Sequence, residues 1–251
     1  MERSKILLLV EGEKVEKDLF EHFYNLYGIN NVEIVAYKTH IYAFYNRLKN
    51  DYADSDGNIE FDIIDLPLFL NEYLNLEGES LLNEADFTDI ILIFDFDPHD
   101  PQFDPNKLEI LLDNFSDSTD RGKLFINYPM VESFKDTDSL DNPTFKDSTV
   151  HIDILKERSR RTSRYKRIVD SYSCIGSIEE ITTEVANSLL KLHSFKLEYL
   201  LHTFSYTDED TYKMLCKKQC HKLNNENLIW VINTSLLHML DEYGFINNPE
   251  D

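Results

Sequence analysis

Asp89-Ile90-Ile91-Leu92-Ile93-Phe94-Asp95-Phe96-Asp97-Pro98-His99-Asp100 is the stretch on which the reading of the fold turns. Ile90 to Phe94 form an unbroken apolar run. Such a β-branched and aromatic run predicts a strand buried on both faces, the habit of parallel sheets in α/β proteins. Pro98 cannot continue a strand ladder, so the strand is expected to stop there. Side chains two apart on a strand point to the same side. Asp95 and Asp97 are therefore expected to project together from the carboxyl end of a central strand, where open α/β sheets place their ligand sites. Two carboxylates forced together repel, so each needs a raised pKa or a cation. A hard divalent cation such as Mg²⁺ suits an all-oxygen donor pair. The same Asp-x-Asp also fits a loop acid followed by a helix N-cap, a metal-dependent glycosyltransferase, or a phosphatase nucleophile.

Upstream, Lys5–Val10 predicts a first short strand, running into Glu11-Gly12-Glu13-Lys14-Val15-Glu16. Val15, Leu19, Phe23 and Leu26 then recur at helical spacing, so a helix is expected from about Glu13 to Tyr27, stopped by Gly28. Val32–Tyr37 predicts a strand and Ile41–Leu48 a helix. Residues 51–87 read as an acidic insertion, with Phe61–Asp65 compatible with a strand and a helix following Pro67. Downstream, Asn106–Phe115 predicts a helix and Lys123–Asn127 a strand, which leads into Tyr128-Pro129-Met130-Val131-Glu132. Alternation of this kind predicts an α/β fold with a parallel sheet flanked by helices over residues 1–150. Residues 151–251 read as a mainly helical extension, with helices over Ser177–Leu192, Asp208–Leu223 and Leu228–Tyr243.

The totals narrow the function classes. The 251 residues carry a formal net charge of −22, and residues 51–150 hold 25 Asp and Glu against 5 Lys and Arg. Phosphate contacts need Lys and Arg, so the acidic middle argues against unaided nucleic-acid binding. The exception is Lys156 to Arg167, where Lys156, Arg158, Arg160, Arg161, Arg164, Lys166 and Arg167 face a single acid, Glu157. That run fits a phosphate-binding stripe, or a stripe that pairs with the chain's own acidic middle. The three cysteines, Cys174, Cys216 and Cys220, predict reduced thiols and a cytoplasmic protein. Cys216 and Cys220 lack the further ligands a zinc site needs, and on a helix they share an apolar face. Lys5–Val10 is too short for a signal-peptide core, and no stretch reaches the length of a membrane span. With seven glycines and no G-x-G-x-x-G or P-loop pattern, a glycine-rich phosphate cradle is not expected.

In a parallel sheet, Glu11 after the first strand, Asp95 and Asp97 after the third and Glu132 after the fourth come to one edge. Glu16, on the first turns of the following helix, leans toward it. Five acids so gathered call for divalent cations, and a two-metal site hydrolyses phosphodiesters.

Val10-Glu11-Gly12-Glu13-Lys14-Val15-Glu16 resembles the Val-Glu-Gly-x-x-x-Glu signature of TOPRIM domains, and Phe94-Asp95-Phe96-Asp97 resembles their Asp-x-Asp motif. Asn127-Tyr128-Pro129-Met130-Val131-Glu132 is similar, with one extra residue, to the Asn-x-Pro-x-x-Glu segment of the OLD-like and RloB-like nuclease branch. The combination also resembles the TOPRIM effectors of PARIS- and AbiL-type anti-phage systems, which act beside an ABC-type ATPase. The resemblance covers about residues 5–135. It implies a TOPRIM-like fold and a nuclease cutting tRNA or DNA with Mg²⁺ or Mn²⁺, as two ions. It implies a separate ATPase partner and is compatible with a homodimer. Glu11 becomes the general acid/base and a ligand. Asp95 and Asp97 become metal ligands, with Glu16 and Glu132 as second ligands or supporting groups. Nucleases of this branch also use a lysine near the scissile phosphate, and Lys166 is assigned that place without a matched motif. Arg158, Arg160, Arg161, Arg164 and Arg167 become the nucleic-acid-binding residues. A non-catalytic TOPRIM scaffold is the remaining alternative.

Overall fold

The computed structural model describes residues 5–159, 162–202, 208 and 210–243. The N-terminal half runs β1 (Ile6–Val10), α1 (Val15–Leu26), β2 (Val32–Ala36), α2 (Ile41–Tyr52), α3 (Leu66–Leu74), β3 (Asp89–Asp95), α4 (Pro105–Asn114), β4 (Ser116–Asp117) and β5 (Gly122–Asn127). The chain continues through β6 (Thr149–His151), α5 (Ile152–Lys156), β7 (Arg158–Ser159), β8 (Thr162–Ser163), α6 (Arg164–Tyr172), α7 (Thr183–Leu201), α8 (Asp210–Glu226), β9 (Leu228–Trp230) and α9 (Thr234–Tyr243).

The main sheet has the order β2-β1-β3-β5-β4. Its first four strands are parallel, and the two-residue β4 closes the far edge antiparallel to β5. Ile6 to Val10 of β1 are all buried, as are Ile90 to Phe94 of β3 and Leu124 to Ile126 of β5. These strands therefore need cover on both faces. On one face α2 and α3 supply it. Phe94 stacks on Phe44 at 5.2 Å, and Phe69 of α3 packs edge-on to Phe44 at 6.0 Å. On the other face, α1 covers the β1 side. Its Phe20 and Tyr24 meet His238 of α9, and His238 also packs on Phe125 of β5. The C-terminal half thus joins the same core as the sheet.

Residues 51–87 are a folded cover. Asp65 caps α3 by accepting the Leu68 N–H, with Pro67 in the first helical turn. Phe61, Leu66, Phe69, Leu70 and Leu82 are buried. Phe61–Ile63 form a 3₁₀ turn, where the sequence was compatible with a strand.

Leu228–Tyr243 departs from the single helix expected of it. Leu228–Trp230 pairs antiparallel with Thr149–His151, and Tyr128 exchanges backbone hydrogen bonds with Ile232, at 2.9 Å each way. The helix begins only at Thr234, where Asn233 Oδ1 accepts the Leu236 N–H. The apolar run of β9 and the helix adjoin in sequence, so their periodicities merge; the polar Asn-Thr-Ser step separates them. The helix expected at Ser177–Leu192 runs Thr183–Leu201 instead, capped by Thr182. Among the described residues no helix is long and apolar enough to cross a membrane.

Two fully buried histidines carry a pH dependence. His193 Nδ1 accepts the Asn233 N–H while its Nε2 donates to Phe134 O. His238 Nδ1 donates to Ser235 O while its Nε2 accepts from Tyr24. Burial pushes His193 down to about 3 and His238 down to about 4. Both stay neutral in the fold, whereas the unfolded chain takes up protons below about pH 6.5. Their stabilising contribution is complete above that value and lost as pH falls toward the folded values. In thermal melts, wild type should lose stability relative to His238→Gln between pH 7 and pH 4, by up to about 3 kcal/mol. Parallel pH curves for the two proteins would contradict the assignment.

Candidate functional site

The strand order reverses between β1 and β3, since the connection from β1 leads to β2 on one side and that from β3 to β5 on the other. A reversal of this kind opens a crevice at the carboxyl ends of the two strands. Glu11 follows β1 directly, and Asp95 is the last residue of β3. The Asp95 backbone N–H donates to Glu11 Oε2 at 3.2 Å. Glu16, the second residue of α1, is only 7% exposed and its Oε1 accepts the Gly12 N–H at 3.1 Å. A Cβ built on Gly12 would lie 2.4 Å from Glu16 Oε2, so a larger residue there would push that carboxylate away.

Beyond β5, residues Val131–Lys135 form a 3₁₀ turn that presents Glu132, which is 6% exposed. Glu132 Oε1 accepts a hydrogen bond from Lys166 Nζ, carried on the first turn of α6. The neighbouring Tyr165 is buried and donates to Asp136 at 2.5 Å, and Lys135 bonds Asp170 at 2.7 Å. Three contacts thus fasten α6 to the Glu132 turn, and they aim Lys166 inward.

The pKa values show how closely the acids interact. Burial, and then the charges of Asp97, Glu16 and Asp100, hold Glu11 well above the usual carboxylate range, although the Asp95 N–H works the other way. Burial, then Glu11, Glu16, Asp97 and Glu132, do the same to Asp95. Glu16 is raised by burial and by Glu132, against its backbone bonds and Lys166. For Lys166, burial works to lower the pKa, but Glu132, Asp170 and Glu16 outweigh it and raise the value, so the ammonium keeps its proton. The structure therefore brings Glu11, Glu16, Asp95, Asp97 and Glu132 into one electrostatic cluster with Lys166 beside it.

Asp97 reaches the cluster by another route than the strand alternation expected of it. β3 ends at Asp95, and Asp97 has φ 39°, in the left-handed region that Asp tolerates better than most residues. Phe96 between them is fully buried. Its N–H faces Asn127 O and Pro129 O at 3.0 and 3.2 Å, and its carbonyl accepts from Tyr42. The turn locked in this way carries Asp97 and then Asp100 back over the strand end. His99 Nδ1 lies 3.9 Å from Asp97, and His40 Nε2 lies 3.6 Å from Asp100. Asp100, His40 and His99 were not among the sequence-derived site residues. Asp100 stands in the deciding stretch itself, whereas His40 precedes α2 with no local signal.

The donors are all carboxylate oxygens, which suits Mg²⁺ or Mn²⁺, and a cation would relieve the repulsion that raises Glu11 and Asp95. Among the described residues no group of three His, Cys, Asp or Glu side chains stands close enough together to hold an ion as placed. The residues fit a divalent cation by donor chemistry and charge. The basic stretch is less concentrated here. Arg158 pairs through its backbone with Ser163, Arg164 bonds Glu157 at 2.7 Å, Arg167 is exposed, and Arg160 and Arg161 lie outside the described residues. Cys216 and Cys220 are both buried on α8, and Cys174 is exposed.

The raised pKa values carry a sign for stability. A carboxyl whose folded value lies above its unfolded one loses stability as pH rises through the folded value. Without metal, the charges of Glu11 and Asp95 therefore oppose folding at neutral pH. Asp95→Asn and Glu11→Gln should each raise the Tm in EDTA at pH 7.5, by about 2–4 °C for about 1 kcal/mol gained. A lowered Tm in both would show that the acids stabilise the fold.

Comparison of the chain with protein-family models, with curated proteins and with solved structures finds no match to any of them, so the reading of this site rests on its own residues.

Proposed function

We propose that the chain is a divalent-metal-dependent phosphodiester hydrolase of the TOPRIM type, acting on tRNA or DNA. The observation that carries this is the meeting of Glu11, Glu16, Asp95, Asp97 and Glu132 at the switch point of a parallel sheet, with one lysine facing them. Glycosyl or phosphoryl transfer at the same aspartates gives no role to Glu11 and Lys166 together. Phosphodiester hydrolysis uses both.

In this reading Asp95 and Asp97 hold the cation, with Glu16 and Glu132 completing its surroundings. Bound there, the ion supplies Lewis acidity toward the phosphoryl oxygen and lowers the pKa of a bound water. The chain's own residues do the rest. Glu11, whose pKa burial and then the charges of Asp97, Glu16 and Asp100 raise, stands where a general acid would pass a proton to the leaving oxygen. Lys166 remains an ammonium and can turn from Glu132 toward a phosphate oxygen, offsetting charge that develops in the transition state. The fastening of α6 through Tyr165 and Lys135 sets where that ammonium stands.

The overall charge of −22 supports a regulated effector, because a polyanionic substrate gains little from an acidic surface. A separate ATPase that delivers or opens the site is the partner this reading implies.

The test is cleavage of plasmid DNA and of total tRNA by purified protein in Mg²⁺ or Mn²⁺. Glu11→Gln should slow cutting by about 10²–10⁴-fold, as loss of general acid–base catalysis does. Lys166→Ala should lower the rate more than it lowers Mn²⁺ affinity. A protein that binds no Mn²⁺ by titration, with Asp95→Asn as control, ends the proposal. Gly12→Ala should leave the fold intact and weaken Mn²⁺ binding through Glu16; unchanged binding would remove Glu16 from the site.

A further inference from the structure

We infer that Asn233 is a positioning residue for Glu132, and that the buried tripeptide Asn233-Thr234-Ser235 is the means by which the C-terminal half completes the acidic site. What Glu132 does is taken from the nuclease reading above; how it is held follows from contacts independent of that reading.

All three residues are at most 1% exposed. Asn233 Nδ2 donates to Val131 O at 3.0 Å and to Ser133 Oγ at 3.3 Å. Its Oδ1 accepts the Leu236 N–H at 2.9 Å and the Ser235 hydroxyl at 2.8 Å. Two donors and two lone pairs are the full capacity of an asparagine side chain, and here all four are used. The Asn233 N–H donates to His193 Nδ1 at 3.0 Å, and His193 Nε2 reaches Phe134 O at 3.3 Å. Residues 131, 133 and 134 are therefore gripped from the C-terminal half, and the one residue between them left to face the acids is Glu132. Thr234 Oγ1 donates to Ile126 O at 2.8 Å, and the Ser235 N–H donates to Asn127 Oδ1 at 3.1 Å. The end of β5, from which the Glu132 turn departs, is held by the same tripeptide.

The chemistry explains why asparagine stands at this place. The turn offers acceptors, Val131 O and Ser133 Oγ, while the first turn of α9 offers a donor, the Leu236 N–H. An amide side chain supplies two donors for the turn and a carbonyl oxygen for the helix at once. Serine or aspartate could cap α9 equally well, but aspartate has no donor for the turn and serine a single one for its two acceptors.

The experiment uses the full chain with Asn233→Ser, which keeps a good helix cap and adds no charge, and with Ser133→Ala, which removes one of the two acceptors from the other side. Three readouts are taken: the thermal midpoint, hydrogen exchange of the peptide spanning residues 128–136, and binding of Mn²⁺ alone by its EPR signal. The expected result for Asn233→Ser is cooperative unfolding, faster exchange confined to that peptide, and Mn²⁺ affinity weaker by about ten- to a hundredfold, as for supporting groups of metal ligands. Ser133→Ala should show a smaller change in the same direction. Adding Glu132→Gln to Asn233→Ser should bring little further loss, because both act through one carboxylate. A lowered midpoint with wild-type Mn²⁺ affinity would make Asn233 a structural residue only and overturn this role alone. A wild type that binds no Mn²⁺ would overturn the nuclease reading and this role with it.

Discussion

Repulsion among carboxylates held close together in a poorly solvated crevice is the constraint that the rest of this structure answers to. Burial and neighbouring negative charge act in the same direction on Glu11 and on Asp95. Left free, these side chains would turn out to water. Three of the acids are held in place by ties to backbone or to a cation of the chain. Glu11 accepts from the Asp95 N–H, Glu16 from the Gly12 N–H, and Glu132 from Lys166. A site of this kind stores unfavourable electrostatic energy in the fold, which only a well-packed scaffold withstands.

That scaffold is the parallel sheet with cover on both faces. Helices α2 and α3 close one face. On the other, α9 packs on β5 beside α1, with His238 against Phe125 and with Leu236, Leu237 and Met239 buried. The same helix starts at the Asn233-Thr234-Ser235 step, so the residues that begin the cover also hold the turn bearing Glu132. Packing and site assembly are thus coupled. The C-terminal half cannot shift without moving an acid of the site.

Residues 51–87 have a comparable place on the opposite face. In sequence they read as an acidic insertion, but their apolar residues lie in the core, with Phe69 stacked against Tyr37 and packed against Phe44. Most of the charge of this segment is on its exposed side, where it adds to the negative field of the protein. Among the described residues of the basic stretch, Lys166 pairs with Glu132 and Lys156 with Asp153, while Arg164 pairs within its own segment.

By itself the sequence determined the alternation of strands and helices, the parallel sheet, and the strand ends at which Glu11 and Asp95 stand, with Glu132 following the next strand. Those features follow from local periodicity and from the geometry of a strand, which residues close together in the chain specify. Tertiary structure alone decided the others. Asp97 enters the cluster through a left-handed turn set by Phe96, Tyr42 and Asn127. Lys166 arrives from 34 residues beyond Glu132 because Tyr165 finds Asp136. Asn233 meets Val131 from 102 residues away. A hydrogen bond between distant residues leaves no period and no spacing in the chain. It exists only once both partners have been buried side by side, and burial is a property of the folded whole.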